Sequence, residues 1–251
     1  MRSNPRIKTG NSVLPVLDLP PPFRLVSLRE VGDAFRHAQE IAAEEGAGTL
    51  VYVGRFDLAE FAVVLEPEEP LRLARNAFYV GMNAMADALL VHAPPEKPIT
   101  IDWPDAVRVD SGLVGGGRLA WPRGTAEAEV PAWLVFGGMI RTVSMSSTPG
   151  VHPLETALDE EGFEEHGSAA LVESFARHLM AAFDAWQQDG FAALHRDYLA
   201  RLSPEKGTRR DIDENGDLLV QWMASSQSDR RPLVPALETP SWYDATRGGP
   251  R

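Results

Sequence analysis

The stretch Ile101-Asp102-Trp103-Pro104-Asp105-Ala106-Val107-Arg108-Val109-Asp110-Ser111-Gly112-Leu113-Val114-Gly115-Gly116-Gly117 decides the reading of this chain. It predicts a strand, a turn and a second strand that carries three consecutive glycines. Glycine has no side chain to pack and loses more backbone freedom on folding than any other residue. A glycine run inside a strand therefore marks a bulge, a close approach of another segment, or a ligand lying against the backbone. A second apolar strand, over residues 131–139, is interrupted in the same way by Gly137 and Gly138.

Working outward, residues 1–24 carry Pro15, Pro20, Pro21 and Pro22 and read as an extended arm, because proline fixes φ and disfavours helix before it. Ala34, Phe35, Ala38, Ile41 and Ala42 recur at helical spacing, with Gly46 and Gly48 able to end the helix. Residues 49–53 and 61–65 read as the two strands of a hairpin. One long helix is expected from Leu71 through Ala74, Phe78, Met82 and Met85 to Leu89. A second follows on Leu171, Phe175, Leu179 and Trp186, with a shorter continuation on Phe191, Leu194 and Tyr198. Near the end, Asn215-Gly216 lies between two strand-like runs, a strong short-range hairpin signal. The pattern predicts an α+β fold with a mainly antiparallel sheet.

The chain has 251 residues, a net charge of −12 and no cysteine. The acidity argues against a nucleic-acid partner or an anionic membrane surface, both of which call for a basic patch. The missing cysteines exclude disulfides, a thiol nucleophile and thiolate metal sites. No apolar run approaches the ~20 residues that span a bilayer, and the polar, basic start is unlike a secretory leader, so the cytoplasm is the expected compartment. The histidines His37, His92, His152, His166, His178 and His195 show no metal-ligand spacing, and no metal site is expected. Ser144, Ser146 and Ser147 sit in no nucleophile elbow. Asp159, Glu160, Glu161, Glu164 and Glu165 read as a solvated loop and helix start.

Trp103-Pro104, followed by the glycines, resembles the central motif of biotin–protein ligases, which reads W-P-N-D, six residues, a lysine, two residues and a glycine. Laid on that pattern without gaps, this chain has Asp105 for the asparagine, Ala106 for the aspartate and Leu113 for the catalytic lysine. Other segments are similar to the same family in the same order. Asp33, Ala34 and Phe35 stand where the family has the serine, threonine and asparagine that touch biotin. Gly54-Arg55 is what remains of its glycine- and arginine-rich loop. Val135 to Arg141 resembles V-x-G-x-G-x-N, with Arg141 at the asparagine, and Thr156 to Gly162 resembles T-S-L-x-E-x-G. Residues 210–219 resemble the hairpin of the small C-terminal domain.

The resemblance implies the biotin/lipoate A/B ligase fold: a mainly antiparallel or mixed sheet flanked by helices, with a small C-terminal β appendage. It divides the chain into an arm (1–24), a ligase-like domain (25–202) and a small β domain (203–251). The arm is too short for a helix-turn-helix, so no DNA-binding module is implied. Such a ligase joins a small acid to ATP as an acyl-adenylate and passes the acyl group to a carrier-protein lysine. ATP, Mg²⁺ and a biotin- or lipoate-like acid are thus the implied ligands, a biotinyl or lipoyl carrier domain the implied partner, and a homodimer a further possibility of the family.

An adenylating site needs cations and backbone N–H groups where anions meet. Gly115, Gly116, Gly117, Gly137 and Gly138 are the candidate floor, with Asp33, Arg55, Asp102, Trp103 and Asp105 as further ligand-binding candidates. Leu113 cannot neutralise a phosphate. Arg141 and Arg118 are the candidate catalytic replacements, although simple alternation puts Arg118 on the face opposite Leu113 unless a bulge intervenes. Three functions follow: a divergent acyl-adenylate-forming ligase, a catalytically degenerate binder of a small acid or carrier domain, and an acyl transferase that works without ATP. For the last, a lysine would have to serve, and Lys8, Lys97 and Lys206 are the only three.

Overall fold

The computed structural model describes residues 17–145, 154–163, 167–225 and 227–251. Most of the expected N-terminal arm lies outside them, as do Ser146, Ser147, His152, Glu164, Glu165 and His166.

The first element is β1 (Arg24–Leu28), which the sequence pattern does not foresee because the short RLVSL run follows prolines and is never fully buried. Helix α1 (Ala34–Glu45) begins at Asp33, whose carboxylate accepts from Arg36 N at 2.9 Å, and ends at Gly46 with φ 73°. Its small buried residues, Ala34, Ala38 and Ala42, let it lie close to a sheet. Strands β2 (Thr49–Gly54) and β3 (Leu58–Leu65) form the expected hairpin.

The single helix expected from residue 71 is two: α2 (Leu71–Ala74) and α3 (Ala77–His92). The interruption falls at Arg75 and Asn76, whose side chains tie down the later Asn-Gly turn. Arg75 Nε donates to Asn215 O at 3.0 Å, and Asn76 Nδ2 donates to Glu214 O at 3.3 Å. Helix α3 is apolar almost all round because the sheet covers one side and another helix covers the other.

The quoted glycine-bearing stretch holds three strands rather than two: β4 (Ile99–Asp102), β5 (Ala106–Val109) and β6 (Gly112–Ala120). Asp110 and Ser111, at φ 47° and 73°, make the tight turn between β5 and β6. After β7 (Leu134–Arg141) comes α4 (Gly167–Arg201), which turns at Gly190 (φ 73°), where the expected long and short helices meet. The chain closes with β8 (Thr208–Ile212), β9 (Leu218–Trp222), β10 (Ser228–Arg231), α5 (Leu233–Glu238), β11 (Tyr243–Asp244) and β12 (Gly249–Pro250).

The main sheet has seven strands in the order β1-β2-β3-β7-β6-β5-β4, parallel only between β1 and β2. Helix α1 packs on one face over Val51, Val53, Ala62 and Val135. Helices α3 and α4 pack on the other, around Phe61, Phe78, Phe136 and Phe175. With the three-stranded β10-β9-β8 sheet and the β11-β12 pair, this is the α+β architecture expected, including its small C-terminal β appendage.

One irregularity sets the orientation of everything that follows. In the β5–β6 register, Val107 faces Gly115 but Arg108 faces Leu113, so β6 carries an extra residue. Gly115, at φ 156°, takes the bend, and a Cβ there would overlap the Met139 carbonyl oxygen. The bulge resets the alternation. Val114, Gly117 and Leu119 face α3, with Gly117 against Met82 and Phe136. Leu113, Gly116 and Arg118 face the α1 side, so Arg118 shares a face with Leu113, contrary to simple alternation.

Candidate ligand site

On that face Gly116 lies opposite Met139, and Gly137 lies opposite Arg118. Gly116 lies under Trp242, and Gly137 lies under the ring of Phe35. Gly117 and Gly138 do not belong to this floor. They open toward the other face and receive Met82, Phe136 and Phe61, so their lack of side chains serves core packing. All five glycines are buried.

Trp242 has no counterpart in the sequence expectations. It is fully buried, packs with Leu58, Ala106, Leu113 and Met139, and donates its Nε1–H to Gly117 O at 3.2 Å. Its neighbour Ser241 donates to Asp105 twice, from its backbone N at 3.0 Å and from Oγ at 2.7 Å. The available signal was an aromatic pair, Trp242-Tyr243, in an otherwise polar tail, but the partner lies 125 residues away. Leu113, at the lysine position, is only 7% exposed.

The arginines divide sharply. Arg55 makes a two-pronged ion pair with Asp57 at 3.0 and 2.6 Å across the tight turn between β2 and β3. Each partner strengthens the charged state of the other: the hydrogen bond raises the Arg55 pKa and lowers that of Asp57. Arg141 donates to Thr156 O at 3.3 Å, Pro250 O at 2.9 Å and Arg251 O at 2.7 Å, and burial lowers its pKa. Arg118 is different. Its guanidinium carbon lies 4.4 Å from the ring centres of both Phe35 and Tyr243 and 6.0 Å from that of Trp242. Its Nε is buried with no hydrogen-bond partner, and among the described residues no hydrogen bond or ion pair engages it. Cation–π attraction of ~1–2 kcal/mol offsets only part of what a half-buried guanidinium loses in hydration.

Glu60, unremarked in the sequence, is the acid of this face. It is 3% exposed and accepts from Ala34 N at 2.9 Å at the start of α1. Burial raises its pKa, while Arg55 and Arg118 pull the other way. Asp33 is the cap of α1. Asp102 and Trp103 do not join Asp105 at this face. Asp102 holds Arg108 Nε at 2.5 Å and Ser203 Oγ at 2.6 Å, while Trp103 packs on the α3–α4 core and donates to Tyr79 Oη at 3.3 Å. Among the described residues no group of three or more His, Asp or Glu could hold a metal. No described helix is long and apolar enough to cross a membrane.

Burial pushes the Asp105 carboxyl up to about 6, against the lowering effect of its two hydrogen bonds from Ser241. A carboxyl whose folded-state pKa lies above its unfolded value favours folding most fully at pH below ~4 and loses that contribution as pH rises through about 6. Replacing Asp105 by Asn keeps the shape and removes the titration. Wild type is expected to lose up to about 3 kcal/mol relative to Asp105→Asn between pH 4 and pH 7.5. Urea unfolding at the two pH values checks this, and a pH-independent difference between the proteins contradicts it.

The chain matches the profile of the Biotin/lipoate A/B protein ligase family over residues 19–200. Comparison with curated proteins gave no match. Among solved structures it resembles a biotin protein ligase-like protein of unknown function from a Silicibacter species, at 26% identity and TM-score 0.75, covering 87% of this chain and 97% of that one. The biotin protein ligase of Aquifex aeolicus, solved as a point mutant with biotin, superposes at TM-score 0.64 and 13% identity, covering 84% and 95% of the two chains. The same ligase with biotin and ATP gives 0.58 at 15% identity, covering 83% and 98%. These last two likenesses concern the fold; the sequence match covers most of the chain, which therefore belongs to the biotin/lipoate A/B protein ligase family.

Proposed function

We propose that this protein binds a small carboxylic acid on the ligase face and does not activate it with ATP. The observation that carries this reading is the charge arrangement of the face. The position of the family lysine is Leu113, buried beneath Trp242, whereas the bulge in β6 delivers to the same face the Arg118 guanidinium, which makes no hydrogen bond or ion pair among the described residues. Adenylation brings an acid carboxylate against a phosphate, and both must be neutralised at once. Losing one fixed electrostatic stabiliser of such a transition state costs ~10²–10³ in rate. Here Arg55 is taken by Asp57 and Arg141 by main-chain carbonyls, so neither stands free for a triphosphate. The short turn between β2 and β3 also offers little to close over a water-sensitive adenylate. The residues present do not fit ATP·Mg²⁺, and no step through it is assigned.

One cation beside the ring of Phe35, on a face floored by Gly116 and Gly137, suits a single carboxylate on an apolar body, the chemistry shared by biotin, lipoate and octanoate. Such an acid, with its carboxylate free, is the expected ligand. Isothermal titration with the three acids, each with and without ATP·Mg²⁺, tests the reading. The expected result is binding of at least one acid with an affinity indifferent to ATP, weakened about tenfold or more in Arg118→Ala, as for loss of a charge-assisted hydrogen bond. Binding strengthened by ATP, or no binding of any acid, overturns it.

A further inference from the structure

We propose that residues 241–251 form a displaceable strap that opens as a unit, with the rest of the fold intact, and uncovers the Arg118 guanidinium for an anionic ligand. The inference rests on the acid-binding reading for the ligand and on independent geometry for the opening.

The strap is attached to the molecule in an unusual way. β11 and β12 pair only with each other and add no strand to the main sheet. Within the strap, Arg251 N donates to Trp242 O and Gly248 N to Asp244 O. Among the described residues no backbone–backbone hydrogen bond joins residues 241–251 to the remainder of the chain. Side chains alone hold it: Asp105 on Ser241, Trp242 on Gly117 O, Arg141 on the Pro250 and Arg251 carbonyls, and a 3.7 Å contact from Arg247 to Glu155. A solvent-open cleft of about 480 Å³ lies between Glu155 and the strap residues Tyr243, Asp244 and Arg247. The tip, residues 245–248, is exposed. A segment without ladder bonds to its base is the kind that opens at less cost than global unfolding.

What the strap covers gives the opening a purpose. Tyr243 lies on the guanidinium of Arg118, and Trp242 sits on Gly116 next to Leu113. Closed, the strap holds a cation against aromatic rings with a buried, unpartnered Nε. Open, it leaves that cation on a glycine-floored face. An acid that binds there must displace Tyr243, so strap and acid exclude one another. By linkage, any change that favours the open form tightens acid binding by the same factor.

Native-state hydrogen exchange on the full chain is the first arm of the test. The amide of Ser241, whose bond to the Asp105 carboxylate is broken by the opening, is expected to exchange at least about 10²-fold faster than those of β7, and with a smaller denaturant dependence. Exchange of both sets at one rate with one dependence, as in global unfolding only, overturns the strap. The second arm uses Ser241→Ala, which removes the hydroxyl bonded to Asp105. It is expected to speed strap exchange about tenfold and to tighten octanoate binding by the same factor. Faster exchange with unchanged or weaker octanoate binding overturns the competition and makes the strap a wall of the site. If neither protein binds octanoate, biotin or lipoate, the acid-binding reading fails, while the exchange arm still decides the opening.

Discussion

Replacing Trp242 by alanine is expected to lower stability by about 3–5 kcal/mol, the range for deleting a large buried aromatic. For a domain of this size that is a fall of about 6–20 °C in Tm. The indole is fully buried among Leu58, Ala106, Leu113 and Met139, and its N–H satisfies the Gly117 carbonyl. The sheet residue directly beneath is Gly116, which has no side chain to fill the space. Trp242→Phe keeps most of the volume and loses the hydrogen bond, so it is expected to cost about 1–2 kcal/mol. Thermal unfolding followed by circular dichroism checks both. A Trp242→Ala protein as stable as wild type would mean that Trp242 spends its time off the sheet.

Gly115→Ala is expected to be more damaging still, by more than about 4 kcal/mol, and to leave little folded protein. Position 115 needs a backbone at φ 156°, and its Cβ would overlap the carbonyl oxygen of Met139 in the adjacent strand. That oxygen belongs to the β6–β7 ladder at the centre of the sheet and cannot move aside without breaking it. Losing the bulge would also swing Leu113 relative to Arg118 and dismantle the face. Gly249→Ala is the matched control: nothing lies within 4 Å of its Cβ position, and the change should stay within about 0.5 kcal/mol. Soluble yield and urea unfolding of the two variants give the comparison, and a stable, well-folded Gly115→Ala protein contradicts the account of the bulge.

Much of this architecture was legible because it is written in local chemistry. The 3.6-residue period of α1, the β-rich runs of β2 and β3 and the Asn215-Gly216 turn each specify their element within a few residues. The ordered series of motifs from Asp33 to residue 219 pointed to the family, and Leu113 at the lysine position could be read directly. The glycine run announced a bulge or a ligand; here Gly115 is the bulge, Gly117 and Gly138 make room for core aromatics, and Gly116 and Gly137 face the site. What local chemistry could not show was long-range pairing. Nothing near Trp242 says that it docks on Gly116, or that Ser241 caps Asp105 from 136 positions away. Nor does anything near Glu60 say that an acid inside an apolar strand is satisfied by the first amide of α1. The break at Arg75 and Asn76 was hidden for the same reason, since it serves contacts to the turn holding Glu214 and Asn215.

These particulars converge on one view of the molecule. The ligase fold persists, the glycine-bearing face is covered by Phe35 and Trp242, and Arg118 on that face makes no hydrogen bond or ion pair among the described residues. The most direct test of the central claim is acid-dependent exchange of labelled pyrophosphate into ATP, measured on the full chain with Mg²⁺ and, in turn, biotin, lipoate and octanoate. Exchange no greater than in the absence of acid is expected for all three. Exchange that rises with any one of them would show that an acyl-adenylate forms here, and would contradict that claim.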